Sequence, residues 1–433
     1  MQSATANNEQ QDQQTLVRIE IIVLKLNMKS ANKRILISGA SIAGPTLAFW
    51  LAKYGFEVTI VERSKSLRLG GQNLDVRGAG RAIVRMMGIE DEILAANTGE
   101  IGLQFVNSDN EVKAAFPSDG ANSFTSEAEI LRGDLVNILY RNTRDQVKYI
   151  FGKYITAASQ SSESVRVTFS DDQTDTFDLL IAADGVRSTT RQLIFGDEPE
   201  IKFVGLYNAW YTIPKKNTDT KWARWYTAPG SRVMLIRPDN HGTVRASFSF
   251  LSADMNYQKL PAAEQKKILK EKLSGAGWEE SRLAEEIDKN DDVYFDGISQ
   301  VRAPRWFNGR AGMIGDAAYC PTPLTGMGTT LAIVGAYLLA GELARHDTHE
   351  AAFEGYEKRM RPFAEDIQKL PPGVPWLAHP KSKFGVAVVN TVAGILASNP
   401  VKKIGALFGG KEKDLTKDKI ELPDFSHFIK KQF

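Results

Sequence analysis

A glycine-bounded turn between two apolar strands constrains this chain more than any other feature. Arg34-Ile35-Leu36-Ile37-Ser38 reads as a short buried strand, Gly39-Ala40-Ser41-Ile42-Ala43-Gly44 as a turn, and about Pro45 to Tyr54 as a helix. A second strand, Glu57-Val58-Thr59-Ile60-Val61, ends at Glu62. Strand, tight turn, helix and strand in this order form a βαβ unit of the nucleotide-binding kind. Gly39 permits the turn and Gly44 lets helix and strand pack closely. The backbone around Ser41, Ile42 and Ala43 then offers unpaired N–H groups to a pyrophosphate. Glu62 lies about 20 residues past the glycines, as expected for a carboxylate that accepts hydrogen bonds from ribose hydroxyls. Ser41 replaces the middle glycine of the fingerprint, so a small side chain stands at the closest backbone approach.

A chain of 433 residues is too long for one ordinary core and implies two domains. Composition is that of a globular protein, and a net charge of +2 gives no reason to expect nucleic acid or an anionic membrane as partner. The single cysteine, Cys320, excludes an internal disulfide and fits a reducing cytoplasmic location. Five scattered histidines show no metal-ligand spacing, so no metal is expected. Residues 1–27 look foreign to the fold: a Gln- and Asn-rich start, then an apolar run from Leu16 to Leu26 too short to span a bilayer. They are expected to be a disordered or non-native extension, with Met28 as the natural start.

Further along, Gly70-Gly71-Gln72-Asn73-Leu74-Asp75-Val76-Arg77-Gly78 is a glycine-rich loop before a helix over Gly80–Met87. Residues 101–116 read as two short strands, and a helix opens at Arg132 and runs to about Arg141. A hairpin runs from Val165–Phe169 through Asp171-Asp172 into the apolar strand before Asp184-Gly185. From about residue 200, aromatic strands alternate as a meander: Tyr207–Ile213, Lys221–Tyr226, Arg232–Ile236 and Thr243–Leu251. A helix over Ala262–Leu273, a strand over Val293–Gln300, and a strand into Gly315-Asp316 before a long helix complete the pattern. The expected architecture is α/β: a discontinuous Rossmann-like domain (28–200 and 295–345), an inserted, mostly antiparallel β-sheet substrate domain (201–294), and a C-terminal helical region (346–433).

Three motifs in this order resemble the group A flavoprotein monooxygenases related to p-hydroxybenzoate hydroxylase. They are the glycine fingerprint with Glu62; Asp184-Gly185-Val186-Arg187-Ser188-Thr189-Thr190-Arg191, matching D-G-x-x-S-x-x-R; and Gly315-Asp316 with Pro323, matching G-D-x6-P. The resemblance covers about residues 31–345. The segments 70–78, 130–135 and 315–324 are similar to those of the tetracycline destructases, as is the long C-terminal helical region. The resemblance implies FAD bound by Gly39, Ser41, Ile42, Ala43, Gly44, Glu62, Arg63, Leu74, Asp75, Arg132, Asp184, Asp316, Pro323, Gly326, Gly328 and Thr329. Gly326-Met327-Gly328-Thr329 begins the long helix, whose N-terminal dipole suits a ring that becomes anionic on reduction. Asp184 could instead cap the following helix, and Arg187 and Arg191 could be solvated helix residues.

The family implies that NAD(P)H reduces the flavin and that O₂ supplies one oxygen to an aromatic or polycyclic small molecule. The flavin carries that chemistry, so no catalytic acid, base or nucleophile is assigned. The aromatic strands should wall the substrate, with Trp210, Arg232 and Met234 in contact with it; Arg232 stands where destructases place a substrate-contacting arginine. Trp210 occupies a position where the family has a polar contact, a departure that counts against tetracycline itself. Ala209-Trp210-Tyr211-Thr212-Ile213-Pro214 misses both tryptophan positions of the flavin halogenases' W-x-W-x-I-P, which argues against halogenation. A non-oxygenating flavoprotein sensor remains open, as does a flavin-dependent reductase or isoprenoid epoxidase with a membrane-associated tail from Phe384. The expectation is a monomeric enzyme without a membrane partner.

Overall fold

The computed structural model describes residues 33–118, 128–397 and 420–430. The reading of residues 1–27 therefore lies outside the described residues. A six-stranded sheet sits at the centre of the nucleotide unit. Its order is Phe307–Asn308, Ala311–Met313, Leu179–Ala182, Arg34–Ser38, Glu57–Glu62 and Lys148–Phe151. All neighbours are parallel except the first pair. Ile35, Leu36 and Ile37 are fully buried, because the strand is covered on both faces. On one face lie the helices Ala43–Lys53, Gly328–Arg345 and His349–Ile367. Against the other, Leu36, Val61 and Leu180 pack on a three-stranded antiparallel sheet through Val165, Val167 and Phe169.

That small sheet corrects the expected hairpin. Val165–Phe169 pairs with Thr174–Phe177, and the apolar strand Leu179–Ala182 passes instead into the parallel sheet. A polar, half-exposed strand such as Thr174–Phe177 carries no apolar signal, so the longer buried run concealed it.

The second sheet has seven strands, ordered Tyr294–Arg302, Glu200–Pro214, Thr243–Leu251, Arg232–Pro238, Ala223–Ala228, Gly102–Val106 and Val112–Pro117. It is not a simple meander, because Glu200–Pro214 pairs with Thr243–Leu251 and not with the strand next in sequence. Two strands assigned from sequence to the nucleotide unit, at 102–106 and 112–117, form one edge of this sheet. Leu103 pairs in parallel with Ala223, which brings Phe105 onto Trp225 with ring centroids 5.9 Å apart. Tyr294–Arg302 forms the other edge, beyond the expected boundary at 294. One face of the sheet buries Met234, Ile236, Phe248 and Phe250 against two helices, Ala262–Leu273 and Glu280–Lys289, the second of which the sequence reading missed. The other face turns toward the nucleotide unit.

Candidate functional site

The tips of three parallel strands converge on one cleft. At the first, Gly39 has φ +113°, and a Cβ there would lie 2.5 Å from the Ala183 carbonyl oxygen. A Cβ on Gly44 would fall 2.0 Å from the Gly39 oxygen. The turn therefore accepts no side chain at either glycine, and the backbone remains open as a cradle. No side chain caps the N-terminus of Ala43–Lys53, and its first turn contains no acid. Its N–H groups and positive dipole end are left for an anion.

Glu62 stands beside this turn. Its Oε2 accepts the Ala40 N–H at 3.0 Å and its Oε1 the Ser64 N–H at 3.0 Å, which fixes the carboxylate at the cleft wall. Arg63, next to it, donates to Thr189 Oγ1 at 3.1 Å. Ser41 has a definite use: its Oγ accepts from Arg132 Nη2 at 3.0 Å. Arg132 also donates to the carbonyls of Arg68 (3.1 Å) and Gly70 (3.0 Å). Among the described residues its hydrogen bonds thus go to neutral oxygens. Desolvation, with Arg68 nearby, lowers its pKa. A guanidinium held this way, in a cleft lined by Ala40, Ser41, Glu62 and Arg68, suits an anionic or electron-rich ligand.

Asp316 begins a short helix, Asp316–Tyr319, after Gly315 at φ +60°. A Cβ on Gly328 would come within 3.9 Å of Asp316 Oδ1, so the carboxyl lies at the start of Gly328–Arg345. That helix also has no side-chain cap and no acid in its first turn. The Asp316 side chain opens onto the cleft, yet surrounding protein desolvates it and pushes its pKa up, against the pull of Cys320 and Arg132. Pro323 opens a single helical turn that ends at Gly326 (φ +65°), just before Gly328 and the buried Thr329. Next to Pro323, Thr322 has φ +83°, and its buried Oγ1 has no hydrogen-bond partner. Leu74 and Asp75 lie on the strand Asn73–Asp75, where Asp75 pairs with Arg77 at 2.8 Å. The Arg77 backbone is tied to Thr330 Oγ1 of the long helix.

Asp184 caps a helix. Its Oδ1 accepts from Ser188 Oγ and its Oδ2 from the Thr190 N–H at 3.1 Å, while Ser188 caps Arg191 N. Arg187 reaches Asp296, as an exposed pair. Arg191, by contrast, is buried, which excludes the alternative of a solvated side chain. It is 4% exposed and donates to the Ala317 carbonyl (2.9 Å) and the Val186 carbonyl (2.7 Å). It thereby joins the Asp184 loop to the Asp316 helix. A motif spacing cannot reveal a bond that spans 126 residues of chain.

The second sheet supplies the opposite wall. Register places Tyr294, Trp210, Ser247, Leu235, Trp225 and Phe105 in one row across six strands, on the face opposite Met234 and Phe248, with Phe105 at its end packed beside Phe116 and Ala393. Trp210, Leu235 and Trp225 are only half-buried. The next row holds Asn208 and Ser249, and Ser247 Oγ donates to Asn208 Oδ1 at 2.9 Å. From the C-terminal region, His379 reaches Ser249 Oγ at 2.9 Å and the Pro375 carbonyl at 3.0 Å; desolvation lowers its pKa to about 4. Arg232 and Met234 point to the other face, which overturns their expected substrate contact. Arg232 donates to the carbonyls of Pro229, Lys272, Ser274 and Gly275 behind the sheet, and Met234 is fully buried there. Alternation along a strand decides this, and sequence could not say which parity faced the cleft.

A buried ion cluster joins the two walls. Arg237 holds Glu100 in a bidentate pair (2.7 and 2.9 Å) and also pairs with Glu129, on the strand that leads into Arg132. Asn73 and Thr98 donate to the same Glu129. Sequence reasoning missed this cluster because its charged members lie up to 137 residues apart.

Known proteins match this architecture. An FAD-binding-domain family model matches residues 32–370. A flavin-dependent monooxygenase of a Phoma species, eupH, is 37% identical over 90% of this chain and 97% of its own. The FAD-dependent monooxygenase asL4 of Sarocladium schorii is 36% identical over 84% of this chain and 92% of its own. The crystal structure of tetracycline destructase Tet(55) superposes with a TM-score of 0.75 at 33% identity, covering 91% of this chain and 99% of that one. The chain belongs to the FAD-binding-domain family and is an FAD-dependent monooxygenase.

Proposed function

We propose that this monooxygenase takes electrons from NAD(P)H and hydroxylates a phenolic or polycyclic small molecule lying against the Trp210–Ser247–Leu235–Trp225 row. The observation that carries this reading is the half-buried aromatic row itself, which faces the cleft while Met234, Ile236, Phe248 and Phe250 on the sheet's other face are packed with two helices. Flat indole faces suit fused or substituted aromatic rings. Ser247 and Asn208 sit within the same surface, where they can hydrogen-bond ring hydroxyl or carbonyl oxygens.

Bound FAD supplies the redox chemistry and the activation of O₂. The residues that would hold it are the glycine turn, Glu62, Arg132, Asp316 and the start of Gly328–Arg345. The two uncapped helix N-termini stabilise negative charge on what they face, and Arg132 adds a fixed cation that needs no reorganisation. The sheet and the C-terminal segment at His379 exclude water from the face that holds the substrate. Tetracyclines are the leading specific candidates, supported by likeness to the destructases, with Trp210 as the feature that could redirect the pocket to other ring systems. A monomer is the expected working unit.

The test is a panel of tetracyclines, anthraquinones and simple phenols, incubated with NADH or NADPH in air and scored by mass spectrometry for the gain of one oxygen. Trp210→Ala should raise KM for whichever compound is oxidised while leaving FAD content unchanged, as loss of uniform binding requires. A compound oxidised with unaltered KM in that variant would move the substrate off this wall. Absence of NAD(P)H consumption with every compound would refute the proposed electron donor and substrate class together.

A further inference from the structure

The helix Lys383–Ala397 carries an apolar face that nothing among the described residues covers. Its inner side packs on the strand Val112–Pro117 through Ala393, Ala114 and Phe116, so closely that a Cβ on Gly394 would sit 3.3 Å from the Lys113 carbonyl oxygen. The outer side holds Phe384 (78% exposed), Val388 (43%), Val392 (48%), Ile395 (54%) and Leu396 (47%) at helical spacing. Trp376 and Leu377, just before the helix, are 61% and 67% exposed. Seven of the eighteen exposed large apolar side chains of the described residues thus fall between 376 and 396. Single exposed apolar residues are ordinary, but a contiguous stripe marks an interaction surface.

Along the sequence the charge on either side of this stripe is one-sided, and Lys381 and Lys383 at the start of the helix are both exposed. After Asp366 the sequence holds no acid until Glu412, while Lys369, Lys381, Lys383, Lys402, Lys403 and Lys411 fall between them. No helix is long and apolar enough to cross a membrane. At fifteen residues this one is about 22 Å long. An uncharged helix face bordered by lysines and preceded by an exposed tryptophan has the chemistry of a segment that lies in the plane of a lipid surface. We propose that the outer face of Lys383–Ala397, with Trp376 and Leu377, docks this enzyme on an anionic lipid surface. Phe384, Val388, Val392 and Leu396 enter the acyl boundary, and Lys381 and Lys383 meet the lipid phosphates. The proposal departs from the expectation that the chain has no membrane partner.

The experiment is flotation of the full FAD-loaded chain with phosphatidylcholine vesicles, with and without phosphatidylglycerol. The expected result is flotation with the anionic vesicles alone, weakened by salt. The double variant Val388→Asp/Val392→Asp should lose at least about tenfold of the bound fraction, because two buried apolar side chains become charged. Lys381→Glu/Lys383→Glu should lose about tenfold on anionic vesicles through charge alone. Flavin absorbance confirms that each variant is folded. Failure of the wild-type chain to float with either vesicle overturns the proposal. In that case, a halved mass of Val388→Asp/Val392→Asp in light scattering would show that a second copy covers the stripe, and an unchanged mass that the chain covers it itself. Equal flotation on both vesicles, insensitive to the lysine variants, overturns the anionic lipid as partner.

Discussion

Removing the guanidinium from the Arg237 cluster tests whether the two walls of the cleft are fastened as described. Glu100 and Glu129 are each 1% exposed at the side chain, and Arg237 is 23% exposed. Burial raises the Glu129 pKa, more than the Arg237 charge pulls it down, and Glu100 adds to the rise. Arg237→Met keeps much of the side-chain volume and leaves both carboxylates without their cation. Breaking a buried pair in this way costs about 3–5 kcal/mol at neutral pH. The cost should depend on pH with a definite sign. Without Arg237 the folded-state pKa of Glu129 rises further, so the folded protein binds protons more tightly than the unfolded chain. The destabilisation is therefore largest at high pH and shrinks as pH falls through the raised Glu129 value. Urea unfolding of wild type and variant, at pH 8 and again near pH 5.5, reads this directly. The triple variant Arg237→Met/Glu100→Gln/Glu129→Gln should recover most of the loss, since neutral groups need no cation. Loss below about 1 kcal/mol at pH 8, or an equal loss at both pH values, would refute the account of a buried charge cluster. Because Glu129 leads into Arg132, FAD affinity should fall with stability in Arg237→Met.

Three further outcomes follow from individual contacts. Gly44→Ala should lose FAD content on purification, because its Cβ would meet the Gly39 oxygen at 2.0 Å and force the cradle open; normal flavin absorbance in that variant would exclude the close approach. Arg232→Ala should cost about 1–3 kcal/mol by releasing the carbonyls behind the sheet, with KM unchanged, and a raised KM with intact stability would return it to the substrate face. His379 has a folded pKa near 4, below its ordinary value of 6.5, so it contributes stability above pH 6.5 that is lost as pH falls toward 4. His379→Gln should therefore show a flatter Tm profile across that window, and an unchanged profile would place the histidine in solvent.

The nucleotide unit was legible in the sequence because every part of it is local. Strand, turn, helix and acid lie within the 29 residues from Arg34 to Glu62, and each depends on backbone sterics or on burial of both strand faces. The turn at Gly315-Asp316 and the helix start after it were legible for the same reason, because they lie a few residues apart. What depended on long-range pairing was hidden. Sequence showed an arginine at 232 and an aromatic-rich sheet, but the parity of each strand relative to the cleft is set by register, and a shift of one residue exchanges the two faces. Tertiary structure therefore moved Arg232 and Met234 to the helix side and assembled Trp210, Ser247, Leu235 and Trp225 into one wall. It also gave Ser41 its purpose as a partner of Arg132, 91 residues away, and made Arg191 a buried tie between two motifs. Local chemistry determined the nucleotide-binding unit; the packing of distant strands decided which side chains line the cleft beside it.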